Sequence, residues 1–249
     1  MKIKFDNLSL GFSNELGNRR VVLQNFSLDF GSEKETGIAT FLLPVNSGKS
    51  ALAKLLAGII SPEAGALKFN NSKPDFSKTA YINCQKAFPG LSLKDLFEIT
   101  AGKSREKRNS ANSLQEVAKK VGLDGYEEHI PSANSLGYQI RMMLALGFFN
   151  QADLFVIDDP FIGLDKNNFS AIMDLIREIG KEKQIILINS SISHSVSISD
   201  AIYLMSEPPV SLIENFVLKD KIEERGSATD KIYKLLTGTK TDLFTQYLL

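Results

Sequence analysis

Two short stretches carry residue types that could do phosphate chemistry. The first is Leu43-Pro44-Val45-Asn46-Ser47-Gly48-Lys49-Ser50. It ends as a phosphate-binding loop ends: backbone N–H groups wrap a phosphate chain, a lysine reaches the β/γ-phosphates as a point charge, and a serine hydroxyl ligates Mg²⁺. The pattern G-x-x-x-x-G-K-[ST] begins on a glycine, and here that position holds Leu43. Asn46 replaces a further glycine and tolerates left-handed backbone better than most residues. The second stretch is Leu154-Phe155-Val156-Ile157 followed by Asp158-Asp159-Pro160. A carboxylate at the C-terminal end of a buried parallel strand sits where phosphate and metal bind, so Asp158 reads as the Mg²⁺-side group. Alone, Gly-Lys-Ser could be a chance tripeptide at a helix start, and Asp158 an acidic turn before a proline. Together, in this order, they favour a nucleotide site.

The elements that must position these groups follow from periodicity. Residues 3–11 alternate and read as a strand, as does Val21–Phe30, and the two are expected to pair. Gly37–Leu43 is a short apolar run that reads as a buried strand, and Ser50–Ile60 has helical spacing of Leu52, Leu55, Leu56 and Ile59. Strand, Gly-Lys-Ser, helix is the context a phosphate loop requires. Ala66–Phe69 and Ala80–Asn83 read as short strands. Residues 88–150 then change character: Ser92–Thr100, Ser113–Val121 and Ser135–Phe149 read as helices of an inserted helical lobe. Strands return at Leu154–Ile157, Gln184–Ile188 and Ala201–Met205, with helices at Lys166–Ile179 and Asp220–Leu236. This alternation implies an α/β fold with a mainly parallel sheet, an N-terminal antiparallel β subdomain and the helical insertion, in one domain over residues 1–249.

Composition bounds the function. The 29 basic and 29 acidic residues cancel, which argues against a nucleic-acid partner held by bulk charge. Cys84 is the only cysteine, so no intrachain disulfide can form, which suits a reducing compartment. The first residues do not read as a signal peptide, and no run of about 18 apolar residues suggests a membrane span. The expected place is the cytosol, or the cytoplasmic side of a membrane through partners.

Set in this order along nearly the whole chain, the motifs resemble those of ATP-binding cassette (ABC) proteins, the nucleotide-binding subunits of ABC transporters. Leu52–Gly58 followed by Pro62-Glu63-Ala64-Gly65 resembles the helix after the family's P-loop and its turn. Tyr81-Ile82-Asn83-Cys84-Gln85 resembles the Q-loop, which would make Gln85 the glutamine that touches Mg²⁺ or water and senses the membrane partner. Phe12 falls at the aromatic position that stacks on adenine; otherwise it is a packing residue. Asn134-Ser135-Leu136-Gly137-Tyr138 aligns with the signature LSGGQ, matching at Ser135 and Gly137, while Leu136 would crowd the approach to the opposite subunit's nucleotide. Gly163-Leu164-Asp165 resembles the D-loop at the dimer interface.

The departures from the family pattern fall on hydrolysis. The general-base glutamate is replaced by Asp159, whose carboxylate sits about 1.5 Å further back, and misplacement of that size can cost about 100-fold. The switch histidine position falls on Ser190; His194, one turn further on, is either a substitute or an ordinary polar helix residue. The resemblance implies an ATP site formed by Asn46, Ser47, Gly48, Lys49, Ser50 and Ala51, with Mg²⁺ on Ser50, Gln85 and Asp158. It implies transmembrane permease subunits and a second ATPase subunit as partners. The departures favour slow hydrolysis and an unlike second subunit, with a purely scaffolding cassette as the alternative. The segment Ser206–Ile213 weakly resembles importers of the nitrate, sulfonate and taurine type. A DNA-repair or translation cassette would bring tandem cassettes or coiled-coil insertions, and a small-molecule kinase would not explain Gln85, Asp158 and Asp165 together.

Overall fold

A computed structural model of the chain describes residues 1–13, 17–31, 36–83, 88–102, 113–131, 136–218 and 222–237. Its elements run β1 (Lys2–Ser13), β2 (Arg19–Gly31), β3 (Gly37–Leu42), α1 (Lys49–Leu56), β4 (Ala64–Phe69), β5 (Thr79–Asn83), α2 (Leu93–Gly102), α3 (Leu114–Val121) and α4 (Leu136–Phe149). They continue with β6 (Leu154–Asp158), α5 (Lys166–Glu182), β7 (Gln184–Asn189), α6 (Ile192–Ile198), β8 (Ala201–Met205), β9 (Leu212–Val217) and α7 (Ile222–Thr237).

The strands form two sheets. One is antiparallel in the order β2-β1-β4; the other runs β5-β6-β7-β3-β8-β9 and is parallel except for β9. Period-two alternation divides the central strands between two cores. Phe155, Ile157, Ile185 and Leu187 pack with α3, α4 and α5, whereas Leu154, Val156, Ile186 and Ile188 pack with α1 and the antiparallel sheet. A third cluster joins β8 and β9 to α6 and α7 through Ile202, Phe216 and Ile232. In the core beside the antiparallel sheet, Phe30 and Phe41 meet edge to face at 4.9 Å and Tyr203 stacks on Phe41 at 5.4 Å.

The sequence expectations hold for the two pairing N-terminal strands, the parallel layer and the helical insertion, with instructive differences. Helix α1 ends at Leu56 rather than Ile60, because Gly58 turns left-handed (φ 70) under the ring of Phe76. Strand β9 escaped the reading because only Phe216 of its residues is buried, so it shows no apolar run. Helices α2–α4 lie between β5 and β6 as an insertion, yet their core is continuous with the face of the sheet. Among the described residues no helix is long and apolar enough to cross a membrane.

The contact of α4 with the sheet depends on Gly147, where an added Cβ would lie 2.4 Å from Phe155 Cε1 and 3.0 Å from Ala80 Cβ. Gly147→Ala is expected to destabilise the fold by about 1–3 kcal/mol through overpacking. The measurement is a denaturant titration, with a lower midpoint at unchanged slope.

Candidate nucleotide site

The turn between β3 and α1 is held from three sides. Leu43 donates its N–H to the Asn189 carbonyl at 2.9 Å, and Ser47 donates its N–H to Pro44 O at 3.3 Å. The Arg20 guanidinium, reaching over from β2, donates to the Asn46 carbonyl. Asn46 (φ 62) and Gly48 (φ 93) take left-handed backbone, and Leu43 does not. The Leu43 side chain is fully buried among the apolar residues beside α1 and the antiparallel sheet. Its departure from glycine is therefore a core-packing substitution; the position needs neither positive φ nor an open face. Gly48 has no such latitude, since a Cβ there would meet Val22 Cγ1 at 2.7 Å. Lys49, Ser50 and Ala51 form the first turn of α1, with Ser50 exposed.

The two carboxylates leave β6 in opposite senses. Asp158 is 4% exposed; its Oδ2 accepts from Asn83 Nδ2 at 3.0 Å and from Tyr81 OH at 3.1 Å, while its buried Oδ1 has no partner among the described residues. Asp159 takes left-handed backbone (φ 46) and turns its side chain to Lys49, with Nζ to Oδ2 at 3.2 Å. Burial raises the Asp159 carboxyl above the ordinary carboxylate range, while Lys49 and the Ser190 main-chain N–H pull it back down. Ser190 is buried, and its hydroxyl has no partner among the described residues. The turn it sits in is built by Asn189, whose Oδ1 accepts the N–H groups of Ser190 and Ser191 at 2.8 and 3.2 Å.

The remaining residues fall in distinct places. Phe12 is 43% exposed near the end of β1 and opposite Arg20 in the strand pairing, so an open aromatic face lies beside the strand that clamps the loop. His194 packs edge to face on Phe161 at 5.3 Å and tilts against Phe169 at 4.6 Å; burial among these rings pulls its imidazole below its ordinary range. It is a packing residue in this arrangement. Gly137, in the first turn of α4, is buried so closely against Asn168 that a Cβ would lie 2.5 Å from Oδ1. Leu136 leans on Gly163, and Asp165 caps α5 by accepting the N–H groups of Asn167 and Asn168, each at 3.0 Å. Gln85 and Ser135 lie outside the described residues.

The donor set fits a nucleotide with Mg²⁺. Asp158 Oδ1, Ser47 Oγ and Ser190 Oγ are buried oxygens without partners among the described residues, and such groups are rare unless a ligand or water completes them. Among the described residues no group of three or more His, Cys, Asp or Glu forms a metal cage. Mg²⁺ typically takes one or two carboxylates and completes its shell with phosphates and water, and Asp158 Oδ1 offers one such oxygen. Sequence reasoning missed Arg20, Tyr81, Asn83 and Asn189 as supports. The signal that could have placed Asn83 opposite Asp158 was that both end short apolar strands, which pair in parallel as Thr79–Asn83 with Leu154–Asp158.

Among known proteins, the ABC transporter family model matches residues 24–162, more than half of the chain's 249 residues. An aliphatic sulfonates import ATP-binding protein of Bacillus cereus (strain ZK / E33L) is 25% identical over 215 residues, 84% of this chain and 83% of that protein. A taurine import ATP-binding protein of Yersinia pestis bv. Antiqua is 28% identical over 204 residues, 79% of this chain and 78% of its own length. The fold also matches a dimeric post-hydrolysis ATP-binding cassette bound to ADP and Pi, with TM-score 0.67 and 19% identity, over 86% of this chain and all of that one.

Restoring glycine at Leu43 is expected to damage rather than repair the loop. Leu43→Gly removes a fully buried side chain, and even Leu→Ala in a core costs about 2–5 kcal/mol. Thermal unfolding checks this: a lower melting temperature is expected, with no tighter nucleotide binding.

Proposed function

Because the chain belongs to the ABC transporter family, we propose that it is the ATP-binding subunit of an importer. It binds ATP–Mg²⁺ and hydrolyses it slowly, working beside an unlike second ATPase subunit and transmembrane permease subunits at the cytoplasmic face of the membrane. The import assignment follows from the printed functions of the sulfonate and taurine relatives.

One observation carries the mechanistic part. Lys49, Ser50 and the unpartnered Asp158 Oδ1 remain disposed to bind, while Asp159, at the general-base position, is engaged by Lys49 at 3.2 Å. The Lys49 and Asp159 side chains are 11% and 15% exposed, so the pair is only weakly screened by water. Mg²⁺, held by Ser50 and Asp158 when bound, supplies charge neutralisation at the phosphates. Lys49 adds positive charge beside them, Phe12 offers a ring for the base, and the loop N–H groups orient the phosphate chain. Asp159 has a shorter arm than glutamate, and Ser190 offers a hydroxyl where the family places imidazole. Two such sites in a homodimer would both be slow, which favours an unlike subunit carrying the missing groups.

The pure protein is expected to bind ATP–Mg²⁺, with affinity at least about tenfold lower in Lys49→Ala, which removes a charge-assisted contact. Its turnover is expected to rise by about tenfold or more in the Asp159→Glu/Ser190→His double variant. Wild-type turnover equal to that of the double variant sinks the slow-hydrolysis reading. In the native assembly, transport is expected to stop with Lys49→Ala and to persist with Asp159→Asn. Gentle detergent purification is expected to bring down a second, different cassette; recovery with only identical copies counts against the unlike partner.

A further inference from the structure

We propose that Asn83 and Tyr81 are positioning residues for the metal-side carboxylate, fixing Asp158 so that Oδ1 alone is presented to the cation. The inference rests on the reading of the site as one for nucleotide and Mg²⁺, and it assigns a role to two residues of the Q-loop-like segment to which that reading gives none.

The placement follows from strand register. Strand β5 pairs in parallel with β6, and Asn83 stands opposite Asp158. Tyr81, two residues earlier, shares its face of the sheet. The three polar groups close on one another: Asn83 Nδ2 lies 2.9 Å from Tyr81 OH and 3.0 Å from Asp158 Oδ2, and Tyr81 OH donates to the same Oδ2 at 3.1 Å. Asn83 is 8% exposed and Asp158 4%, so little water competes for these contacts.

The asymmetry between the two oxygens is the informative part. Oδ2 receives two donors. Oδ1 is buried too deeply for solvent to serve it, and no hydrogen-bond partner among the described residues reaches it. A buried carboxylate with half its acceptor capacity idle is costly unless something compensates it. The neighbouring ammonium does not, because Lys49 pairs with Asp159; among the described residues no cation pairs with Asp158. Two donors on Oδ2 also prevent the carboxylate from rotating to exchange its oxygens, so its free lone pairs keep one direction. This is how groups behind a metal ligand set its orientation, and losing one typically costs 10–100-fold in metal affinity. Packing alone would call for no hydrogen-bonding groups at these two positions; neighbouring Ile82 fills the core with an apolar chain.

The experiment titrates Mn²⁺ into full-length protein with ATP, reading free Mn²⁺ by electron paramagnetic resonance. Nucleotide affinity is measured separately in EDTA. For Asn83→Ala the half-saturating Mn²⁺ concentration is expected to rise roughly 10–100-fold. Tyr81→Phe, which keeps the ring, is expected to shift it several-fold in the same direction, and both variants should bind nucleotide in EDTA like wild type. Titration of both variants at the wild-type concentration overturns the inference. So does an equal loss of nucleotide affinity in EDTA, which marks a merely structural role. A wild-type protein whose ATP complex takes up no Mn²⁺ overturns the nucleotide–metal reading and this inference with it.

Discussion

Strands β6, β7 and β3 are buried on both faces, each face against a different core. Parallel strands so enclosed can carry almost no polar side chain along their length, so their chemistry is confined to their ends. The register turns this into a shared edge: Asn83 pairs with Asp158, Asp158 with Ile188, and Leu42 with Asn189. Three polar residues and the start of the phosphate loop therefore emerge side by side. Without the apolar register behind them, Lys49 and Asp159 would have no reason to meet.

The departures from the family pattern lie at different places relative to that edge. Leu43 belongs to the packed layer behind the loop, and the loop's left-handed turns fall at Asn46 and Gly48 instead. Asp159 and Ser190 lie just past the C-terminal ends of β6 and β7, both largely shielded from water, and the Ser190 main-chain N–H helps pull the Asp159 carboxyl down. Asp159 also takes left-handed backbone, which aspartate tolerates better than longer side chains do. Its type thus suits both the local conformation and the ion pair with Lys49.

The parallel layer was legible in the sequence because complete burial writes uninterrupted apolar runs, as in Leu154–Ile157 and Ile185–Ile188. The phosphate loop was legible because Gly48 and Lys49 are demanded by chemistry at fixed spacing. Strand β9 was not, since an edge strand with Phe216 as its one buried residue has no periodicity to read. The bounds of helix α6 were blurred by serines in and just after it, whose hydroxyls bond carbonyls one turn back, as Ser195 does to Ser191 and Ser199 to Ser195. The burial of Leu43 was not legible, because a motif records which residue is usual, while only the fold records which way the side chain points. The supports Tyr81 and Asn83 became visible only with register, which no single strand carries by itself.

The Arg20 clamp ties the phosphate loop to a sheet it does not belong to. Its guanidinium holds the Asn46 carbonyl, while its backbone is stitched opposite Phe12 in the β1–β2 ribbon. Displacing the loop must therefore either stretch that contact or drag the ribbon along. The stiffness of the loop is set by an anchor planted in strand pairing far upstream, and the ring at Phe12 rides on the same anchor.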